Sequence, residues 1–135
     1  MPVRSIPKPL RPQQLTAAYM KALDRHMAEF RAGTADRAWG IRDFAARLFV
    51  HPTHLSNTLQ EVTGRSPCDH YEEGLMGVAR DLLLTTELSA AEVARRLTMD
   101  PSNFNKFFKR FEGLTPKQYR EQQAMHRSAG AAPTF

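Results

Sequence analysis

One spacing constrains this chain more than any other: residues 49 positions apart match. Ala45 pairs with Ala94, Arg47 with Arg96, Leu48 with Leu97, Pro52 with Pro101, Gly64 with Gly113 and Pro67 with Pro116. Similar pairs fill the gaps: Phe44/Val93, Val50/Met99, Leu55/Phe104, Leu59/Phe108, Val62/Phe111 and Ser66/Thr115. Such self-similarity means one supersecondary unit built twice. Two copies are too few for a solenoid.

Each copy reads as a short helix, a tight turn and a longer helix, which is the helix-turn-helix pattern. In the second copy Ser89 and Glu92 form a capping box, with Leu88 and Val93 placed as a hydrophobic staple. That helix ends near Leu97, Thr98–Asp100 turn, and Pro101–Glu112 follow. There Asp100 suits the N-cap, Pro101 the first helical position and Gly113 the stop. Phe104, Phe107, Phe108 and Phe111 fall at i, i+3, i+4 and i+7, one apolar stripe along a helix. These phenylalanines read as core, not as base-stacking platforms. In the first copy a helix starts at Gly40 or just before it and ends near Leu48. Phe49–His51 turn, and Pro52–Thr63 form the longer helix, with Leu55, Leu59 and Val62 inward. Ala45 and Ala94 are small where crossing helices must approach closely.

Between the copies, Pro67–Leu84 carries Tyr71, Leu75, Val78 and Leu82 on one side. Gly74 and Gly77 weaken this helix by roughly 1 kcal/mol each relative to alanine, yet the stripe is sustained. At about 1.5 Å per residue it spans roughly 27 Å, comparable with the roughly 34 Å between successive major-groove faces of B-DNA. Upstream, Leu15, Ala18, Tyr19, Ala22, Met27 and Phe30 predict a helix over residues 12–31, stopped by Gly33. Trp39 reads as a packing residue at the start of the next helix. A last short helix after Thr115-Pro116 carries Tyr119 and is expected to fade near Met125. The expected class is all-α with about seven helices. The expected divisions are a basic disordered arm at 1–11, a helix plus first helix-turn-helix at 12–66, a linker helix at 67–85, a second helix-turn-helix at 86–126 and a flexible tail at 127–135.

Composition narrows the function. The net charge is +5, which suits a polyanionic partner without proving one. It is unevenly spread: residues 1–33 carry +4, residues 34–87 carry −3 and residues 88–135 carry +4. No apolar run approaches the roughly eighteen residues of a membrane span, and no secretory signal is visible, so a cytoplasmic protein is expected. The single cysteine, Cys68, excludes an internal disulfide framework. Its place near a helix start makes a redox role conceivable, with a structural cysteine the plainer reading. The five histidines lack ligand spacing with Cys68, so no metal or other cofactor is expected. No nucleophile–base pair, metal cluster or phosphate loop marks an enzyme.

The polar faces of the two longer helices carry the chemistry. Thr53, His54, Ser56, Asn57 and Gln60 lie off the apolar stripe of the first. Their partners 49 residues on are Ser102, Asn103, Asn105, Lys106 and Lys109. Hydroxyl, amide and cationic groups are the types that reach base edges and phosphates. Asparagine pairs bidentately with adenine, and lysine reads guanine O6 and N7. Gln60, Lys109, Arg110, Arg65 and Lys117 suit the DNA backbone. The first helix has no lysine or arginine between Pro52 and Gly64. It is expected to add sequence preference but little phosphate affinity, leaving most of the salt-dependent term to the second. His51 reads as a turn or capping residue.

The signature Phe104-x-x-Phe107-Phe108-Lys109-Arg110-x-x-Gly113-x-Thr115-Pro116-x-x-Tyr119-Arg120 resembles the C-terminal DNA-binding domain of the AraC/XylS transcription regulators. Ala45-x-x-Leu48-x-Val50-x-Pro52-x-x-Leu55-Ser56, then Thr63-Gly64, and Ala79-x-x-Leu82-Leu83 fit as well. The match covers about residues 20–122. It implies two homeodomain-like helix-turn-helix units joined by a long helix. It also implies a bacterial, sequence-specific regulator of double-stranded DNA, not an enzyme, whose two recognition helices enter successive major grooves; because both readers lie on one chain, a monomer on an asymmetric site is expected. Under the resemblance Thr53, Ser56 and Asn57, with Ser102, Asn105 and Lys106, face bases; Asn103 joins them on the same exposed face. One departure stands out: the family's Gly-Phe turn in the second unit is Thr98-Met99 here, one residue shorter, as in the first unit. Residues 1–40 are too few for the family's separate ligand-binding or dimerisation domain. The chain is therefore expected to be a short stand-alone member lacking an effector domain, or a DNA-binding piece of a longer protein. The alternative reading is an interaction module docking on RNA polymerase or another regulator, with DNA binding reduced or lost in the acidic first unit.

Overall fold

Prolines and glycines punctuate the observed chain as they do the sequence. In the computed structural model, which describes residues 10–130, the order is α1 Pro12–Ala32, α2 Ile41–Arg47, α3 Pro52–Thr63, α4 Pro67–Thr85, α5 Ala90–Arg96, α6 Pro101–Glu112 and α7 Pro116–Gly130. No strand occurs among the described residues. Five of the seven helices begin on a proline, which lacks the N–H that a first turn leaves unpaired. Residues 1–9 of the expected arm and 131–135 of the expected tail lie outside the described residues. α7 continues to Gly130, past the fade expected near Met125, because no proline or glycine interrupts it before that point.

The chain gathers into two compact units. The first takes the chain up to Arg25 together with Trp39–Tyr71; the second takes His26–Ala38 and the chain from Glu72 onward. In the first unit Leu15, Tyr19, Leu23, Phe44, Leu55 and Leu59 are buried. At about 1.5–3 kcal/mol for each large side chain removed from water, these residues drive the packing of α2 and α3. Phe44 is its centre, meeting Trp39, Tyr19 and Tyr71 edge-on with ring centroids 5.0, 5.2 and 6.1 Å away. The Tyr19 hydroxyl donates to the Pro67 carbonyl at 2.9 Å. Trp39 thus packs where its helix begins, with the Arg47 guanidinium 5.6 Å above its ring.

In the second unit Phe104, Phe107 and Phe108 are buried with Val93, Ala94, Leu97 and Tyr119. Cations tie its backbone together. The Arg120 guanidinium donates to the carbonyls of Leu83 and Thr86 at 2.8 and 3.3 Å, closing the last turn of α4. Arg31 pairs with Asp81 at 2.8 Å and Arg80 with Glu112 at 2.7 Å. Two expectations fail at matched places. Phe111 and Val62 complete the apolar stripes in sequence, yet they are 42% and 37% exposed. Both lie in the last turn of their helices, just before the left-handed Gly113 and Gly64, and little of the surrounding unit covers that end. On α1 the stripe also differs: Leu23 and His26 are buried, and His26 Nδ1 lies 3.0 Å from Glu29 Oε1.

Candidate nucleic-acid interface

The duplication extends to the atoms that start and stop each helix. Ser89 Oγ accepts from the Glu92 N–H at 3.1 Å, and Glu92 Oε1 accepts from the Ser89 N–H at 2.8 Å. Forty-nine residues earlier, Asp43 Oδ2 accepts from the Gly40 N–H at 2.8 Å, while glycine cannot supply the reciprocal bond. The capping hydrogen bonds hold the Glu92 carboxyl below its ordinary pKa. α2 and α5 then end alike. The Phe49 N–H donates to Ala46 O and the Val50 N–H to Ala45 O; the Thr98 N–H donates to Arg95 O and the Met99 N–H to Ala94 O. This pair of bonds defines the Schellman stop, which requires a left-handed residue and is usually filled by glycine. Here Phe49 and Thr98 fill it at φ 59° and 58°. The departure from glycine seen in sequence is thus absorbed by strained backbone at the same point in both turns.

The longer helices are capped differently. Asp100 Oδ2 accepts from the N–H groups of Ser102 and Asn103 at 3.0 and 3.3 Å, so the predicted N-cap of α6 is in place. At the start of α3 the cap is His51, whose Nδ1 accepts from the Thr53 N–H at 3.1 Å. That leaves Nε2 as the protonated nitrogen of the neutral ring. Both helices stop at left-handed glycines, Gly64 at φ 77° and Gly113 at φ 84°.

The cores of the two units orient α3 and α6. With Leu55 and Leu59 turned inward, Thr53, His54, Asn57 and Gln60 are exposed on α3, and Ser56 is half-buried. With Phe104, Phe107 and Phe108 turned inward, Ser102, Asn103, Asn105, Lys106, Lys109 and Arg110 are all exposed on α6. Among the described residues neither Lys106 nor Lys109 has an ion-pair partner within 4.0 Å.

The backbone-contact candidates differ from one another in how they are engaged. Gln60 Nε2 donates to Gly64 O at 2.9 Å, so one of its hydrogens serves the helix end. Arg110 leans back on its own unit, 3.4 Å from Glu72 Oε2 and 5.1 Å above the Phe111 ring. Arg65 is half-buried, with a guanidinium nitrogen 3.5 Å from Asp69 O. Lys117 is exposed in the first turn of α7. Phe49 was given no role by the sequence, yet its ring is 82% exposed in the turn leading to α3. Its pairing with Thr98 at the 49-residue spacing was the available signal. Among the described residues no group of three or more His, Cys, Asp or Glu side chains converges as a metal site. No helix among them is long and apolar enough to cross a membrane.

Two helix-turn-helix units, each showing a capped helix with an amide, hydroxyl or lysine face outward, define a double helix-turn-helix protein. A helix-turn-helix domain family model matches residues 44–122, more than half of the chain. The chain belongs to that family, in its AraC-type branch of transcription regulators. A similar sequence is the uncharacterized HTH-type transcriptional regulator YisR of Bacillus subtilis, 33% identical over 82 residues, covering 60% of this chain and 29% of that protein. A second, YtdP of the same organism, is 30% identical over 84 residues, covering 62% of this chain and 11% of that protein. The chain thus spans less than a third of the length of the curated relatives it matches. Among solved structures, the C-terminal domain of AraT, a response regulator from Geobacillus stearothermophilus, superposes with a TM-score of 0.67 at 28% identity, covering 81% of this chain and 88% of that one. The DNA-binding domain of the global transcriptional factor AdpA, solved with a target DNA, shares the fold with a TM-score of 0.69 at 23% identity, covering 84% of this chain and 96% of that one.

Proposed function

We propose that this chain is a DNA-reading module of a transcription regulator, with α3 and α6 entering successive major grooves of one duplex. The observation that carries this reading is the paired display. Two capped helices, 49 residues apart in sequence, each turn apolar residues inward and base-reading side chains outward. Thr53, Ser56 and Asn57 on α3, and Ser102, Asn103, Asn105 and Lys106 on α6, are the base-contacting set. Gln60, Arg65, Lys109, Arg110 and Lys117 serve the phosphates. Because the readers differ in sequence and lie on one chain, the site is asymmetric and the binding unit monomeric. α4, at 19 residues, is roughly 28 Å long, the scale that two neighbouring turns of one duplex face require.

A second reading is motivated by one fact: α3 contains no lysine or arginine. In it the first unit docks on RNA polymerase or another regulator, and only the second grips DNA. Selection from a random duplex library at two salt concentrations separates the two. The first reading gives a motif with two informative blocks and affinity that falls with salt; the second gives one block. Under the first, Asn57→Ala and Lys106→Ala each weaken binding by about 1–3 kcal/mol and relax preference at one position. Unchanged affinity and preference in both variants would falsify the residue assignment.

A further inference from the structure

The first unit contains a cavity of about 250 Å³ that shares one residue, Ser56, with the proposed DNA-reading set. Four rings line it: the half-buried Trp39 and Tyr71 face it, and the buried Tyr19 and Phe44 back them. The edge-on contacts of Phe44 with the other three, and the Tyr19 hydrogen bond to Pro67, fix those walls in place. Gly40 contributes no side chain to the space, and Cys68 and Ile41 are exposed at its rim. Ser56, Ser66, Cys68, Trp39, Tyr19 and Tyr71 bring the polar side-chain atoms of its lining, with the Tyr19 hydroxyl already bonded to Pro67 O and the Ser66 hydroxyl to the Asp69 N–H.

Three features select the occupant. An apolar cavity of roughly 150 Å³ already holds benzene, so this one has room for a single substituted ring. Aromatic walls favour an aromatic guest through edge-to-face and offset contacts. No lining residue is charged, so an ionic guest would lose its hydration without gaining a partner. Aromatic cages do hold quaternary ammonium groups, but here the Arg47 guanidinium already sits 5.6 Å above the Trp39 ring and would repel a second cation.

We propose that this cavity binds a small, neutral, monocyclic aromatic molecule bearing one hydrogen-bonding substituent. Burial raises the Tyr19 and Tyr71 phenols above their ordinary pKa, so both walls stay uncharged. The site lies wholly within the first unit, and although it shares Ser56 with the DNA-reading proposal, its occupancy is read without DNA.

The test is a titration of the full chain into 4-fluorophenol at neutral pH, followed by ¹⁹F NMR with no DNA present. The expected result is a saturable shift with a Kd on the order of 1 mM, reasonable for about eight heavy atoms. Cys68→Phe, which places a ring at the rim, weakens binding by about tenfold or more. Tetramethylammonium does not displace the probe. In the wild-type chain the ligand shifts the backbone amides of Gly40, Ile41 and Cys68, a readout that stands even if Cys68→Phe misfolds. A shift that grows linearly with concentration, amide changes confined to other residues, or displacement by tetramethylammonium overturns the proposal. So does equal binding by a folded Cys68→Phe variant.

Discussion

Replacing Phe49 by glycine and, separately, by alanine tests the strain assigned to the two turns. Phe49 holds φ at 59°. A left-handed conformation costs an L-residue with a Cβ about 1–2 kcal/mol, whereas glycine adopts it freely but loses about 0.5–1 kcal/mol more backbone entropy on folding. The difference favours Phe49→Gly over Phe49→Ala by about 0.5–1 kcal/mol. Both variants give up the same ring. At 82% exposure the ring has only about 35 Å² of its roughly 200 Å² to lose, worth about 0.9 kcal/mol at about 25 cal/mol per Å². Phe49→Gly is therefore expected near wild-type stability and Phe49→Ala about 1 kcal/mol below it. Urea denaturation followed by far-UV circular dichroism resolves the difference, as does a Tm gap of a few degrees. The pair Thr98→Gly and Thr98→Ala ranks in the same order, both losing the Thr98 Oγ1 bond to Leu97 O. If the alanine variants match or exceed the glycine variants, the turns are not strained.

The two α4 glycines make a second matched pair. A Cβ at Gly77 meets nothing within 4 Å, so Gly77→Ala gains about 1 kcal/mol of helix stability. At Gly74 the added carbon would sit 3.1 Å from Met27 Sδ, so Gly74→Ala gains less; a larger gain at Gly74 would contradict the geometry. Glu92 sets part of the acid limb. Its folded pKa lies below the unfolded value, so its contribution is present above the ordinary carboxylate range and lost as pH falls through the folded pKa. Glu92→Gln should flatten that stretch of the stability-versus-pH curve, and an unaltered acid limb counts against the capping box as its source. In DNA titrations across salt, Lys109→Ala should lower the slope of log K against log salt by about 1. Arg110→Ala should lower it less, because Glu72 already engages that guanidinium; equal slopes would show the pair opens on binding.

Much of this architecture is legible because its signals are local. A proline at a first turn, a serine three residues before a glutamate and a glycine after the last apolar residue each act within one helix. So Pro52–Thr63, Pro101–Glu112, the Ser89 capping box and the Asp100 cap all read directly from the chain. Exposure is a different kind of fact. Val62 and Phe111 satisfy the period of their stripes, but periodicity says which way a side chain faces and not whether another element covers it. Leu23 and His26 were missed for the converse reason, since burial on α1 depends on neighbours far along the chain. The left-handed Phe49 and Thr98 carry no compositional mark. The polar faces of α3 and α6 were legible as faces, whereas the hold of Glu72 on Arg110 needed coordinates.

The sole tryptophan rests edge-on against Phe44, so its emission follows the first unit alone. Ellipticity, by contrast, averages over helices from both. Melting the protein while recording both signals gives two curves, and the gap between their midpoints measures how independently the duplicated halves come apart.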